Sequence, residues 1–294
     1  MKILFCLLLS IICSCCFAKT NLKVLSIGNS YSHDGFCYVP FLIQDIDPEI
    51  DLTLSIAAIG GCTLQRHVEC SKNDQKAYDY HKCLPGAQSW IFKNTSIKEA
   101  ILDEEWDIII LQQQSENSQR YDTYQPYLNE LIDYIFKTVK KPVKLVWHLT
   151  PSYGHIGGEG IEMYNRIAYC AKRVLEETPI ECVIPNGTAI QNARGTYLKE
   201  LGDKQHLSGD NLHMQEGLPK QIEAYTTILT LLDLTGRSHK SIFGNKTLVN
   251  DKWLKDKRTW GTGKPVGSIT KNLLTAQKCA IMAHKYPFKV SEIK

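Results

Sequence analysis

Short apolar runs typical of β-strands alternate along this chain with segments that have a helical period. The strand-like runs are Leu22–Ile27, Leu52–Ala57, Trp106–Gln112, Val143–Leu149 and Glu181–Ile184. Their nearly continuous apolar content is typical of parallel strands that are covered on both faces. The helical patterns between and after them are Ser96–Asp103, Tyr124–Val139, Gly160–Glu177 and Leu218–Leu232. This alternation predicts an α/β fold in three layers, with a doubly wound, mostly parallel sheet of five strands.

The first 18 residues have the layout of a secretory signal peptide. A basic residue near the start is followed by an apolar run over residues 3–12 and by small residues that end at Ala18. The apolar run is too short for a comfortable transmembrane helix. We therefore expect an exported protein, in the periplasm, at the cell surface or secreted. A loose lipobox over residues 12–15 leaves open a lipid anchor at Cys15 or Cys16.

The remaining chain, residues 19–294, has a length that suits one α/β domain. The stretches 66–90 and 236–266 fit neither the strand nor the helix period, and we expect them to be surface insertions. Trp253 and Trp260 lie in the second stretch, where they could stack on a sugar or pack the insertion onto the domain.

Charge and cysteine content exclude several classes of function. A net charge of +3 without blocks of like charge gives no reason to expect a nucleic-acid partner. Of the eleven cysteines, seven remain after the signal peptide, and because seven is odd at least one thiol should be free. No Cys-x-x-Cys pair follows the signal peptide, and its absence argues against a thiol redox protein and against a cysteine-ligated zinc site. We expect no cofactor and no metal.

A candidate nucleophile follows the first predicted strand. Ligands of doubly wound sheets bind outside the carboxyl ends of the strands, and Ser30 lies there. A serine hydroxyl needs an imidazole base that a carboxylate orients. His213 follows Asp210 by three residues, a spacing that lets the carboxylate hold one ring nitrogen while the other faces Ser30. His33 is nearer in sequence but has no comparable carboxylate on a short loop.

These residues resemble the blocks of the SGNH (GDSL-type) hydrolase superfamily. Gly28-Asn29-Ser30 stands where the family has Gly-Asp-Ser, residues 59–64 resemble the block that supplies a glycine N–H to the oxyanion hole, and Asp210-Asn211-Leu212-His213 matches the final Asp-x-x-His. The segments TSIKEAILDEEWDIIILQQQSENS and VIPNGTAIQNAR resemble an exported, largely uncharacterised branch common in polysaccharide-degrading bacteria. The resemblance spans roughly 23–232 and implies a flavodoxin-like sheet of the SGNH type.

The resemblance implies specific roles. Ser30, Asp210 and His213 would form a catalytic triad, and the N–H groups of Ser30 and Gly61 would line the oxyanion hole. Gly61 is followed by Cys62, which lacks a histidine arranged as its partner and is therefore a poor nucleophile candidate.

Two departures from the family pattern affect the site. Asn29 replaces the usual Asp, and residues 112–117 replace the Gly-x-Asn-Asp block whose Asn donates to the oxyanion. We favour Gln113 as this donor, with Gln114 and Asn117 as alternatives, since these amides can donate the same bond. Asn29, Asn117 and His67 are also candidate substrate-binding residues; His67 could line the pocket or lie on the surface.

The predicted function is an exported serine esterase that removes small acyl groups, with acetyl preferred, from carbohydrate. Acyl-transfer chemistry follows from the residues, whereas the acylated carbohydrate partner follows from the resemblance and from export. The alternative is a catalytically inactive glycan-binding protein on the same fold. A flavodoxin-like cofactor binder is disfavoured because no phosphate-binding glycine loop follows the first strand.

Overall fold

The computed structural model describes residues 19–87, 89–153, 158–249 and 264–294. The predicted signal peptide over residues 1–18 and the two tryptophans Trp253 and Trp260 lie outside these described residues. Among the helices that the structure describes, none has both the length and the apolar content needed to cross a membrane.

The strands of the structure form one sheet. Their bounds are β1 Thr20–Gly28, β2 Ile50–Ala58, β3 Tyr78–Cys83, β4 Ile91–Thr95, β5 Ile108–Leu111, β6 Lys144–His148 and β7 Cys182–Ile184. They lie in the order β4-β3-β2-β1-β5-β6-β7. The strands β2, β1, β5, β6 and β7 pair in parallel, each matching one predicted strand, and their order is that of flavodoxin-like sheets.

The predicted number of five strands is wrong, because β3 and β4 extend the sheet to seven. Both pairings, β2 with β3 and β3 with β4, are antiparallel. Strand β3 reads YDYHKC, so its buried positions hold aromatic, histidine and cysteine side chains in place of the aliphatic ones that mark the parallel strands. Strand β3 lies inside the stretch 66–90, which we expected to be a surface insertion.

Helices cover both faces of the sheet. Their bounds are α1 Ser30–Phe36, α2 Val39–Ile46, α3 Leu64–Lys72, α4 Ile97–Leu102, α5 Tyr127–Thr138, α6 Gly158–Glu177, α7 Asn186–Arg194, α8 Leu218–Leu234, α9 Lys240–Gly244 and α10 Thr270–Lys285. The four predicted helices correspond to α4, α5, α6 and α8. Of the second expected insertion, 236–266, the part that the structure describes includes α9, and residues 250–263 lie outside.

Two apolar cores lie on the two faces of the sheet, as the three-layer prediction requires. One core joins the sheet to α3, α4, α5 and α6, and its sheet residues include Leu25, Ile109 and Leu145. The other joins the sheet to α1, α2, α7, α8 and α10 through residues such as Val24 and Ile110. Successive residues of one strand therefore enter opposite cores, which confirms the doubly wound α/β class.

The turn from β1 into α1 sets the position of Ser30. A Cβ at Gly28 would lie 2.5 Å from Ser32 Oγ and 2.7 Å from Gln112 Cδ, so the close approach of these side chains requires glycine. Asn29 is the N-cap of α1 and accepts from the backbone N–H of Tyr31. Ser30 therefore begins α1 at the carboxyl end of β1.

Candidate active site

Ser30, His213 and Asp210 meet in one hydrogen-bonded chain. Ser30 Oγ lies 2.8 Å from Nε2 of His213, and Nδ1 of the same ring lies 2.8 Å from Asp210 Oδ2. Ser30 is 8% exposed and the His213 side chain 14%, so a small molecule can reach both. The structure therefore brings a hydroxyl into contact with an imidazole and a carboxylate from a distant part of the sequence. Ser30 and His213 are 183 residues apart.

The loop 207–215 holds His213 in this orientation. Asp210 Oδ1 accepts from the backbone N–H groups of Leu212 at 2.9 Å and His213 at 2.7 Å. Partial burial opposes ionisation, but these bonds and the one from the His213 ring hold the pKa of Asp210 below its usual value. The carboxylate therefore stays ionised beside the imidazole. Asn211 has a φ of 71°, a conformation that asparagine tolerates better than most residues.

Asn29 connects the start of α1, next to Ser30, to the two neighbouring loops. Its Nδ2 donates to the carbonyl of Cys62 at 3.2 Å and to the carbonyl of Gln113 at 3.3 Å. Its Oδ1 accepts from Tyr31 N at 3.1 Å and from Gln112 Nε2 at 2.6 Å. Because Asn29 is 1% exposed and its amide is fully engaged, it supports the loops around Ser30 and has no free polar atom for a ligand, in contrast to the expected substrate contact.

A buried chain of amides continues from Asn29 to His148. The two carbonyls that Asn29 contacts fix its amide orientation, which makes Gln112 Nε2 the donor and leaves Gln112 Oε1 to accept from His148 Nδ1 at 2.7 Å. His148 Nε2 then accepts from Asn186 Nδ2 at 3.1 Å. Burial lowers the pKa of His148 to about 3, which agrees with this neutral tautomer. His148 is thus a core residue behind the site.

Of the expected oxyanion donors, Gly61 is open to solvent, whereas the Gln113 side chain is hydrogen-bonded within the protein. Gly61 is exposed in the turn that follows β2, with a φ of 63° that glycine adopts readily. Gln113, the favoured side-chain donor, is committed elsewhere: its Nε2 donates to Thr123 O at 3.2 Å and to Thr123 Oγ1 at 3.3 Å. Its Oε1 accepts from the N–H of Leu64. Gln113 therefore braces the loop and has no free amide hydrogen for an oxyanion.

The two alternative donors are less constrained. Gln114 accepts from Asn117 N through Oε1 and donates to Ser115 Oγ at 3.2 Å. The side-chain amide of Asn117 makes no hydrogen bond to any part of the chain that the structure describes, and the residue is partly exposed at the start of a 3₁₀ turn, Asn117–Gln119. Of the three amides, that of Asn117 is the one whose nitrogen makes no hydrogen bond to the described residues, whereas Gln114 keeps one amide hydrogen free.

His67, Cys62 and His33 are placed away from these roles. His67 is 1% exposed in α3 and its Nδ1 contacts the Tyr78 hydroxyl at 2.8 Å; burial lowers its pKa to about 3. It lies in the core, neither on the surface nor against Ser30. Burial raises the pKa of the Cys62 thiol well above its usual value, which disfavours a thiolate nucleophile. The ring of His33 packs 4.5 Å from that of His81.

A buried ion cluster beneath His213 was not predicted from the sequence. Asp34 Oδ2 accepts from the backbone N–H of Met214 at 3.1 Å, and Asp34 Oδ1 lies 3.3 Å from Lys220 Nζ. Lys220 also lies 2.6 Å from Glu216 Oε1, and Glu216 accepts from the Tyr38 hydroxyl. The spacing of Glu216 and Lys220 by four residues at the start of an apolar helix was the available signal.

The comparisons relate the chain to one protein family and to three solved structures. Among curated proteins, none matches this sequence. A crystal structure of a DUF4886 family protein from Bacteroides uniformis ATCC 8492 is similar, with 28% identity and a TM-score of 0.73, covering 93% of this chain and 100% of that one.

Two further solved structures are more distant. A proposed SGNH hydrolase from Slackia heliotrinireducens has 16% identity and a TM-score of 0.48 over 72% of this chain and 100% of its own. TesA has 12% identity and a TM-score of 0.45 over 72% of this chain and 99% of its own. The model of the DUF4886 family, described as a domain of unknown function, matches residues 23–240. The chain therefore belongs to the DUF4886 family.

Proposed function

We propose that this protein is a serine hydrolase of the SGNH type that cleaves small acyl esters. The observation that carries the proposal is the continuous chain from Ser30 Oγ to His213 Nε2 and from His213 Nδ1 to Asp210, with both distances at 2.8 Å. A serine hydroxyl with an imidazole acceptor, itself oriented by a carboxylate, is the arrangement that activates serine for acyl transfer.

The reaction proceeds in two halves. Ser30 Oγ attacks the ester carbonyl while His213 Nε2 takes the hydroxyl proton, and the negative charge moves onto the carbonyl oxygen. His213 then returns the proton to the departing alcohol, which leaves an acyl-serine. Water repeats the attack with the same base, releasing the carboxylic acid and restoring the Ser30 hydroxyl. Asp210 stays ionised throughout and stabilises the imidazolium.

We assign the oxyanion to three donors. Two are the backbone N–H groups of Ser30 and Gly61, as the family resemblance implies. For the third we propose Asn117 in place of Gln113, because the Gln113 amide donates to Thr123 and the Asn117 side chain has no partner among the described residues. Donors aimed at the developing charge contribute most of such a rate enhancement.

The proposed substrate is an acylated, preferably acetylated, carbohydrate outside the cytoplasm. This part of the proposal depends on the resemblance to an exported branch of the superfamily and on the signal-like N-terminus, and on no contact in the structure. The absence of a long apolar tract resembling a lipid-binding lid supports a small acyl group. A glycan-binding protein without activity is the competing function, and the next experiment separates the two.

A serine-directed phosphonate tests the activity directly. We expect the mature chain to be labelled at Ser30, to hydrolyse aryl acetates, and to cleave dodecanoyl esters more slowly. His213→Ala should reduce kcat by several orders of magnitude, whereas His33→Ala should cost roughly tenfold or less. Unlabelled Ser30 in a folded protein would favour the glycan-binding alternative, and equal turnover of the dodecanoyl ester would contradict the small-acyl assignment.

A second experiment tests the oxyanion assignment. Asn117→Ala should lower kcat by about a hundredfold, the usual loss for one donor, with little change in KM or melting temperature. Gln114→Ala tests the alternative donor; since Gln114 Oε1 accepts from the backbone N–H of Asn117, the matched control is Glu116→Ala, at an exposed side chain of the same loop, which should stay near the wild-type rate. A loss confined to Gln114→Ala would move the donor to that residue, and full activity in both Asn117→Ala and Gln114→Ala would contradict a side-chain donor from this loop.

A further inference from the structure

Two histidines and an aspartate converge on the side of the domain away from Ser30. Asp233 is near the end of α8, His239 precedes α9, and His284 is in the last turn of α10. The candidate ligand atoms of the three residues all lie within 4.8 Å of one another. Asp233 is 13 residues beyond Lys220 on α8, about 20 Å at the helical rise. This cluster is therefore separate from the hydrolase site.

Both ring nitrogens point at the same carboxylate. His239 Nε2 lies 2.5 Å from Asp233 Oδ1, and His284 Nε2 lies 2.6 Å from Asp233 Oδ2. The His284 contact is a hydrogen bond. The His239 contact lacks the direction of a hydrogen bond, since its buried Nε2 has no hydrogen-bond partner among the described residues. Hydrogen bonding therefore accounts for the His284 contact but not for that of His239.

A shared cation would hold all three groups, with the ligand atoms moving slightly apart to surround it. The two rings are nearly perpendicular, at 88° with centroids 4.9 Å apart, so they do not stack, and their Nε2 atoms face a common point. Two imidazole nitrogens with one carboxylate form a ligand set for zinc, and three protein ligands leave a fourth position for water. Calcium and magnesium prefer oxygen ligands throughout, so two imidazoles disfavour both.

We propose that Asp233, His239 and His284 bind one zinc ion that ties the ends of α8 and α10 to the start of α9. The ligands come from three separate elements of the C-terminal part of the chain, so the ion cross-links them. Zinc that binds the folded chain and not the unfolded chain stabilises the fold by mass action. The proposed zinc site does not depend on the esterase proposal.

Zinc binding by the chelator-treated full chain tests the proposal. We expect one zinc ion per chain in equilibrium dialysis, a melting temperature that rises with zinc, and visible ligand-field bands when cobalt(II) is added. His239→Ala combined with His284→Ala should weaken zinc binding at least tenfold and abolish the cobalt bands. Asp233→Asn retains a hydrogen-bond acceptor but loses the charge, and should also lose both responses.

His206→Asn is the matched control, since it removes a histidine outside the cluster and asparagine tolerates its φ of 51°. It should bind zinc like the wild type. Folding of each variant is checked by circular dichroism without zinc. The proposal is overturned if the wild type binds no zinc, or if Asp233→Asn and the double variant bind it as tightly as the wild type, which would place the ion at another site such as His213.

Discussion

The contacts of Asn29, next to Ser30, give a reason for its departure from the Gly-Asp-Ser of the superfamily that the sequence resembles. Its side chain donates to two loop carbonyls, those of Cys62 and Gln113, and also accepts two hydrogen bonds. An aspartate at this position could accept but could not donate to either carbonyl. The sequence reveals the replacement of Asp by Asn but not its reason, because the two carbonyls come from segments 33 and 84 residues away.

Asn29→Asp should therefore destabilise the protein although the two residues have nearly the same shape. A carboxylate would face two carbonyl oxygens in a buried position, and a buried polar group without its partner costs about 1–3 kcal/mol, more when it is charged. We expect a decrease of at least about 2 kcal/mol in the free energy of unfolding, measured by urea denaturation. Asn94→Asp, at an exposed position of β4, is the control. Equal stability of Asn29→Asp and wild type would contradict the assigned donor bonds.

At the scale of secondary structure, a buried ion cluster fastens the His213 loop to α1. Asp34 in α1 holds the backbone N–H next to His213, and Lys220 in α8 neutralises both Asp34 and Glu216. The Lys220 side chain is 1% exposed. Although burial opposes its charge, the two carboxylates raise the pKa of Lys220 above its usual value. The relative position of Ser30 and His213 therefore depends on this cluster.

Lys220→Met should leave two buried carboxylates without their cation. Removing one partner of a buried ion pair typically costs about 3–5 kcal/mol, and we expect a loss of that size in the free energy of unfolding. Lys204→Met, at an exposed lysine, should change stability by less than about 0.5 kcal/mol. Adding Asp34→Asn to Lys220→Met should recover part of the loss. If Lys220→Met unfolds at the wild-type urea midpoint, the cluster does not stabilise the loop.

The elements themselves were predictable to different degrees. The parallel strands were found because each is an aliphatic run buried on both faces, as Ile108–Leu111 illustrates. Strand β4 was missed because four of its five residues are exposed or partly exposed and follow no apolar period. Strand pairing decides its conformation, and pairing with β3 is not visible in local sequence.

For the whole molecule, buried histidines link stability to pH. Burial lowers the pKa of both His67 and His148 to about 3, against about 6.5 in an unfolded chain. Between these values the unfolded chain binds more protons, so the stability present above pH 6.5 is lost as the pH falls. Each such histidine contributes a loss of about 2 kcal/mol between pH 7 and pH 5. His67→Gln should reduce the pH-dependent loss by that amount.

Glu223 should act in the opposite direction. Burial raises the pKa of its carboxyl well above the usual value, and neither oxygen has a hydrogen-bond partner among the residues that the structure describes. The folded state therefore holds a proton that the unfolded state releases, and Glu223 weakens stability as the pH rises. Glu223→Gln should make the gain in stability from pH 5 to pH 7 steeper. Urea titrations at both pH values check the two signs, and an unchanged pH dependence in both variants would contradict the burial of these groups.

The sequence predicted which residues form the site better than it predicted which hydrogen bonds those residues make. The order and spacing of the blocks were enough to select Ser30, Asp210 and His213, because each follows a strand or lies on a short loop. The role of Gln113 could not be selected in this way. Three neighbouring glutamines and a nearby asparagine have the same chemistry, and only the position of Thr123 shows that the Gln113 amide is already used.

The ends of the sheet affect how the protein behaves in concentrated solution. One outer strand, β7, has three residues, and the other, β4, has five and includes Lys93. A short strand or a charged side chain at the margin of a sheet gives a second chain little template for adding its own backbone. The antiparallel pair β3 and β4 also covers the long β2, whose nine residues would otherwise offer that template. The architecture thus protects the protein against edge-to-edge aggregation.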